Sequence, residues 1–349
     1  MKEHSTVSFK GQEIFIGIDV HKESWKVNLQ HCHTELESFS LNPSAEELYK
    51  HLIRKYPGAD YYSVYEAGFS GFEAHRRLCE LGIRNIVINP ADVPTNGKER
   101  TYKSDRLDSR KLARSLENGS LEAIYVPSRE NLKLRNLVRR ETKQIGDITR
   151  TKNRIRSHFY FNGLQFNGWS GRALKGYQIT AEENGDYALL SLLRVLRFQR
   201  EEKLRVVQDE KKCLKEMKRD GIQEHLESVP GIGFRTGIVL QSELWEMERF
   251  KDKDHLSSYI GTAPHLVGSG ENEVVETGGD RKKRQLHYLM IEAAWRALRF
   301  DMRLRSKYGT LLRKGSDSQQ AICVIAKRLL YIIRAVWIQN RPYVKAEVQ

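Results

Sequence analysis

An apolar run of eight residues, Glu13-Ile-Phe-Ile-Gly-Ile-Asp-Val20, is the segment that most limits what this chain can fold into. Its length and β-branched residues predict a buried strand, yet it carries a charge, Asp19. A carboxylate in such a strand needs a partner, because an unpaired charge is costly to bury. Trp25 to Gln30 and Leu36 to Leu41 follow as strands at hairpin spacing, and a helix through Lys55 starts at Ser44-Ala-Glu-Glu with Leu48, Leu52 and Ile53 at helical spacing. A fourth strand, Tyr61 to Ala67, ends on Glu66. The turn Gly68-Phe-Ser-Gly71, a helix through Leu81 and the strand Asn85 to Asn89, stopped by Pro90, come next.

Within Thr101 to Ala113 a helix then begins, with Ser104 as N-cap, Leu107, Leu112 and Leu116 as its buried stripe, and Asp105 and Asp108 on one face at its start. Around them stand Arg106, Arg110, Lys111 and Arg114. Acids are favoured in a first turn by the helix macrodipole, so the pair alone has a plain explanation. The βββαβαβα order adds company for it. A ribonuclease-H-like sheet would bring Asp19, Glu66, Asp105 and Asp108 together, and such a quartet can bind two divalent ions and use them to polarise a scissile phosphate.

The charge balance agrees with a phosphate substrate. Among 349 residues, 59 Lys and Arg face 45 Asp and Glu, leaving +14, which points to a polyanion and first to nucleic acid. With 39% apolar and 30% charged residues the chain is globular, with room for two or three domains. No run is long and apolar enough to span a membrane and the start lacks a signal-peptide core, so a soluble, cytoplasmic protein is expected. Cys32, Cys79, Cys213 and Cys323 lack the spacing of a disulfide framework or zinc knuckle. His31-Cys32-His33, taken as part of a strand, would point alternate residues to opposite faces and is not expected to hold a metal.

From Pro127 to about Phe159, the residues Leu134, Val138, Ile145, Ile148, Ile155 and Phe159 keep close to a 3-4 repeat interrupted at Glu141 and Lys152, which predicts a long helix of coiled-coil character. Its polar face carries Arg135, Arg139, Arg140, Lys143, Arg150, Lys152, Arg154 and Arg156, either a solvated face or a set of cations for phosphates. Phe161 to Gly176 reads as a connection, and Tyr187 to Met217 as a helix returning antiparallel. The pair makes an arm whose apolar seam suits contact between subunits. Further on, Val229-Pro-Gly-Ile-Gly233 between two helical stretches has the form of a helix-hairpin-helix, in which Gly231 and Gly233 can present backbone N–H groups to a phosphate. Ser269 sits between Gly268 and Gly270, ahead of Arg281, Lys282, Lys283 and Arg284 and a helix from Gln285 to Phe300. By composition Ser269 is a turn-former with no His or Asp at hand to activate it. Asp317 to Trp337 closes the chain as an amphipathic helix.

Three blocks, Gly17-Ile-Asp-Val-His-Lys22, Tyr65-Glu-Ala-Gly68 and Lys103-Ser-Asp-Arg-Leu-Asp-Ser-Arg-Lys111, resemble the signature blocks of the DEDD transposases of the one-hundred-ten family of insertion sequences. Gly261-Thr-Ala-Pro264, Gly268-Ser-Gly270 and the glycine-basic run before the last long helices resemble that family's C-terminal domain. The resemblance implies that Asp19, Glu66, Asp105 and Asp108 form the Mg²⁺-binding tetrad of a RuvC-like domain and that Ser269 is the nucleophile that links covalently to DNA. Arg281, Lys282, Lys283 and Arg284 then become candidates for phosphate contacts. It further implies a structured guide RNA from the element pairing with target and donor DNA, and a homo-oligomer, dimer or tetramer, joined through coiled coils. Where the family often has a basic residue after the serine, Glu271 and Glu273 stand here. The expected class is α/β plus α: a ribonuclease-H/RuvC-like domain over 1–126, a basic coiled-coil arm over 127–220 and a mostly helical C-terminal domain with helix-hairpin-helix over 221–349. Two rival readings are a hydrolytic RuvC-like nuclease or junction resolvase, with Ser269 incidental, and a non-catalytic nucleic-acid-binding protein. Against the latter stands the cost of clustering four carboxylates without a cation.

Overall fold

The computed structural model describes residues 9–93, 105–262, 264–267, 274–277 and 283–344, with side chains for all of these except 105–107, 264–267 and 274–277. The chain divides into two compact units, residues 1–127 and 128–349.

In the first unit β1 (Glu13–Val20), β2 (Trp25–His31) and β3 (Thr34–Leu41) form an antiparallel meander. Helix α1 (Ala45–Lys55) leads to β4 (Asp60–Glu66), parallel to β1, and α2 (Glu73–Glu80) leads to β5 (Arg84–Ile88), parallel to β4. Parallel neighbours cannot be joined by a tight hairpin, which is why helices make both crossings. The sheet order is β3-β2-β1-β4-β5, a mixed arrangement compatible with a ribonuclease-H-like domain. α3 (Asp105–Glu117) follows. Local chemistry marks the start of α1, where the Ser44 hydroxyl accepts from the Glu47 N–H and Glu46 and Glu47 occupy the first turn.

Strand alternation sorts β1 into two faces. Ile14, Ile16 and Ile18 are fully buried in a cluster with Leu48, Leu52 and Leu78, each such side chain contributing roughly 1.5–3 kcal/mol of burial. Gly17 faces the other way, under α3. A Cβ at Gly17 would lie 1.9 Å from the Ser109 carbonyl oxygen and 2.6 Å from the Ala113 nitrogen, so the helix rests on the bare strand backbone. Val64, Ile88, Val93 and Leu112 fill the rest of this face.

His31-Cys32-His33 corrects a sequence expectation. Cys32 and His33 are not strand residues but the two central residues of the β2–β3 turn, with φ of 47° and 60°, between the paired His31 and Thr34. Positive φ at both turn positions matches the twist of the flanking strands, and Glu117 at the end of α3 accepts from the His33 N–H at 2.7 Å. All four cysteines are free thiols.

The second unit opens with α4 (Arg129–Phe161), capped by the Ser128 hydroxyl, which accepts from the Asn131 N–H. α5 (Gly171–Glu183), α6 (Tyr187–Glu216), α7 (Asp220–Glu227), α8 (Phe234–Leu244) and α9 (Lys253–Ile260) follow. A two-stranded antiparallel pair, β6 (Pro264–Val267) and β7 (Val274–Thr277), precedes α10 (Arg284–Phe300), α11 (Met302–Arg313) and α12 (Ser318–Gln339). An ion pair of Arg140 with Glu202 and a contact of the His158 ring with Asp186 at 2.6 Å join α4 and α6 antiparallel. α5 lies partly within the stretch expected to be a connection. Ser170 caps it, Tyr177 and Ala181 bury against the arm, and the Tyr177 hydroxyl donates to the Gly168 carbonyl at 3.0 Å. Gly171 and Gly176 had hidden it from helix propensity.

Glu141 is the other surprise on α4. Instead of breaking the apolar seam it continues it, buried at 3% exposure and paired with Arg235 of α8 and, at 3.8 Å, with Lys203 of α6. Glu210 of α6 is buried beside it at 1% exposure. Burial first, then the charge of Glu141, pushes the Glu210 carboxyl up to about 7 against the pull of Arg235 and Lys203.

Two outcomes follow from this architecture. Gly17→Ala should cost at least about 2 kcal/mol in a denaturant titration, because the added methyl meets backbone that cannot rotate away, and a wild-type midpoint would contradict the contact. Glu210 holds a proton more tightly folded than unfolded, so its stabilising contribution is complete below the usual 4.5 and is lost as pH rises to about 7. Glu210→Gln should therefore raise stability over wild type by roughly 1–3 kcal/mol at about pH 8, with the gap narrowing toward about pH 5 in matched urea melts.

Candidate active site

Asp19 and Glu66 leave the sheet side by side. The last paired residues of β1 and β4 are Ile18 and Tyr65, so the next residue on each parallel strand stands at the same level, roughly 4.8 Å apart in backbone. Both point to the α3 face, since Asp19 lies two residues beyond Gly17 and Glu66 two beyond Val64. The Asp19 side chain is 22% exposed, and the His21 Nε2 stands 2.9 Å from its Oδ2.

α3 delivers the other two acids. It runs antiparallel to β1, because Glu117 at its C-terminus reaches the β2–β3 turn, where the His31 ring meets the Glu13 carbonyl at 2.8 Å. From the contact between Ser109 and Gly17, Asp105 lies four residues toward the helix start, roughly 6 Å. Asp19 lies two residues along the strand in the same direction, roughly 6.6 Å. The first turn of α3 thus comes to the level of Asp19 and Glu66. Asp108 is exposed there, and the Asp105 side chain lies outside the described ones, as do Ser104 and the side chain of Leu107. Among the described residues no three His, Cys, Asp or Glu side chains form a ready metal cluster.

The expected phosphate contacts separate into different roles. Arg135 is 13% exposed and, with Arg139, donates to the carboxylate of Glu243, itself 8% exposed on α8. Burial would raise the Glu243 pKa, but the two guanidiniums hold it below the usual carboxylate range. Arg135 is therefore a structural cation in a buried pair, a correction to the picture of an open row. Arg139 shares that pair with half its side chain in solvent, Arg140 and Arg150 pair with Glu202 and Asp147, and Lys143 and Arg154 are exposed.

Gly231 has φ +86°, and a Cβ there would lie 2.3 Å from the Ala293 carbonyl of α10, so its smallness serves packing. Gly233 is exposed at the N-cap of α8. Ser269, Arg281 and Lys282 lie outside the described residues. The connection 268–273 that contains Ser269 joins β6 to β7, whose pairing ends at Val267 and Val274. Lys283 and Arg284 are exposed where α10 begins. Sequence reasoning missed Glu243 as the partner of two arginines, and also the role of Gly17. A glycine inside a buried strand is the signal for close backbone approach that would have found the latter.

Comparison with known proteins gives these features a context. Residues 16–161 match a family of DEDD transposases, and residues 223–309 match the Transposase IS116/IS110/IS902 family. The chain is 23% identical to "Putative transposase y4qE" of Sinorhizobium fredii, over 93% of this chain and 88% of that protein. It is 22% identical to the transposase for insertion sequence element IS1111A of Coxiella burnetii, over 77% of this chain and 75% of that one. A shorter similarity, 30% identity over 34% of this chain and 38% of the relative, links it to the pilin gene-inverting protein of Moraxella bovis. The two halves of the chain thus match in the order in which the acidic sheet and the helical region occur, and the chain belongs to the DEDD transposases of the IS116/IS110/IS902 family, enzymes that act on DNA.

Proposed function

We propose that this transposase cuts and rejoins DNA with Mg²⁺ held by Asp19, Glu66, Asp105 and Asp108, and with Ser269 as the nucleophile. The observation that supports this reading is the convergence of two strand ends and one helix start, each carrying a carboxylate, where Gly17 lets α3 touch β1. The donor set is all oxygen, the chemistry of a hard divalent cation. Such an ion supplies Lewis-acid polarisation of the scissile phosphate and offsets charge on the displaced oxygen. His21 orients the Asp19 carboxylate by the contact at 2.9 Å.

Ser269 Oγ gives up its proton and bonds to phosphorus as the bond from phosphorus to a deoxyribose oxygen breaks, and that oxygen departs with a proton. The resulting phosphoserine ester conserves the bond energy. A deoxyribose hydroxyl of the joining strand then displaces Ser269 and restores a phosphodiester. The partners are target and donor double-stranded DNA, a structured guide RNA from the element, and further copies of the chain. α4 and α6 act as a coiled-coil arm pairing subunits, and the α7–α8 turn acts as a helix-hairpin-helix that meets a phosphate at Gly233. The net charge of +14 favours polyanionic partners, and no helix among the described residues is long and apolar enough to cross a membrane.

Single alanine variants of Asp19, Glu66, Asp105 and Asp108 should each lower Mg²⁺-dependent strand cleavage by at least about a thousandfold while thermal melting stays cooperative. Any one of them cutting at the wild-type rate sinks the carboxylate assignment. Ser269→Ala should bind DNA normally yet yield no covalent protein–DNA band on a denaturing gel, and wild-type adduct should map to the peptide containing Ser269. Nicked DNA without an adduct in both proteins would assign the attack to water instead.

A further inference from the structure

Beside Asp19 the first unit opens a groove of about 380 Å³, lined among others by His21, Lys22, Trp25, Phe69, Glu73 and Arg77. This lies within the roughly 300–1,000 Å³ of small-ligand sites. The groove and the carboxylate share a wall, since His21 lines the one and contacts the other.

Two of the lining rings differ sharply. Trp25 is 4% exposed and belongs to the core, whereas Phe69 is 73% exposed. Phe69 stands three residues beyond Glu66, on a turn held by the Tyr65 hydroxyl, which donates to the Gly71 carbonyl at 3.0 Å and accepts from the His75 N–H at 3.3 Å. A phenyl ring kept in water on an anchored turn gains burial when a partner covers it, and a flat ring can stack on its whole face. The surroundings name that partner. Arg77 is engaged with Glu46 and Glu80, while Lys22 is exposed on the rim and can meet a backbone phosphate. Ser70 brings a hydroxyl to the groove for a base edge, and the Glu73 carboxylate, held by Arg76 at 3.2 Å, stays 66% exposed beside it. One exposed ring with a cation and polar edges is the composition that holds single-stranded nucleic acid.

We propose that this groove binds one nucleobase of the cleaved DNA strand, next to the scissile phosphate, stacked on Phe69. The assignment rests on the reading of Asp19 and Glu66 as part of the cleavage centre, which sets DNA rather than RNA in the groove. Phe69 is then a positioning residue that fixes the strand's register over the carboxylates.

The test uses the full chain with Ca²⁺ in place of Mg²⁺ and a single-stranded oligodeoxynucleotide carrying one 2-aminopurine. Wild-type protein should quench its fluorescence on binding. Phe69→Ala should lose the quenching and bind roughly tenfold more weakly, and Phe69→Trp should retain both. Because the ring is exposed, neither change should disturb folding, which circular dichroism checks. Equal quenching in Phe69→Ala overturns the proposal, as does an effect of Phe69→Ala on an oligoribonucleotide of the same sequence but not on the DNA. Asp19→Asn separates the two readings, since it should abolish cleavage and keep the quenching. If that variant still cleaves, the carboxylate assignment fails, whereas quenching that survives Phe69→Ala sinks the base subsite alone.

Discussion

The first unit depends on a contact between two backbones. Gly17 gives β1 a place with no side chain, and the carbonyl of Ser109 and the nitrogen of Ala113 occupy the space where any Cβ would project. Without that approach α3 would stand off the sheet by the thickness of a side chain, and the carboxylates at its first turn would rise away from Asp19 and Glu66. The same contact fixes direction, because Glu117 at the far end of α3 holds the β2–β3 turn through the His33 N–H. One glycine in a buried strand thus sets both the height and the orientation of the helix whose first turn comes to the level of Asp19 and Glu66.

Charge in the second unit is divided between interior and surface. Glu243 and Glu141 are buried acids, and Arg135, Arg139, Arg235 and Lys203 are drawn in to neutralise them. Each acid would be costly to bury alone, and each cation so engaged is subtracted from what a polyanion meets. The formal surplus of cations therefore does not translate residue by residue into a binding face. Lys143, Arg154, Lys283 and Arg284 remain exposed. Glu210 has too little of this compensation beside Glu141, and burial keeps its proton on to about 7.

The groove beside Asp19 places an aromatic surface at the end of β1 and β4 where Asp19 and Glu66 stand. Parallel strands end with their following loops on one side, so acids at strand ends and the turns that follow them are neighbours by topology. Glu66 and Phe69 are linked in this way: the strand that positions the acid runs into the turn that presents the ring. The chain's membership of a DNA transposase family and this arrangement point to the same class of substrate.

What the sequence by itself determined was whatever local chemistry specifies. Strands β1 to β5 were legible from apolar runs and alternation, α1 from Ser44 and its acidic first turn, and α4 and α12 from a sustained apolar repeat. The four carboxylates were legible as candidates because three sit at the ends or starts of readable elements, and the family blocks around them are contiguous. The tertiary structure alone decided the rest, because it depends on pairs distant in the chain. Helix α5 forms despite two glycines because Tyr177 packs into the arm. Cys32 and His33 form a turn because Glu117, far along the chain, receives the His33 N–H. Glu141 continues the seam because Arg235, 94 residues later, neutralises it. The level at which Asp19 stands beside Glu66 is set by the parallel pairing of β1 with β4 across the intervening β2, β3 and α1, and no local pattern encodes a register between strands so far apart.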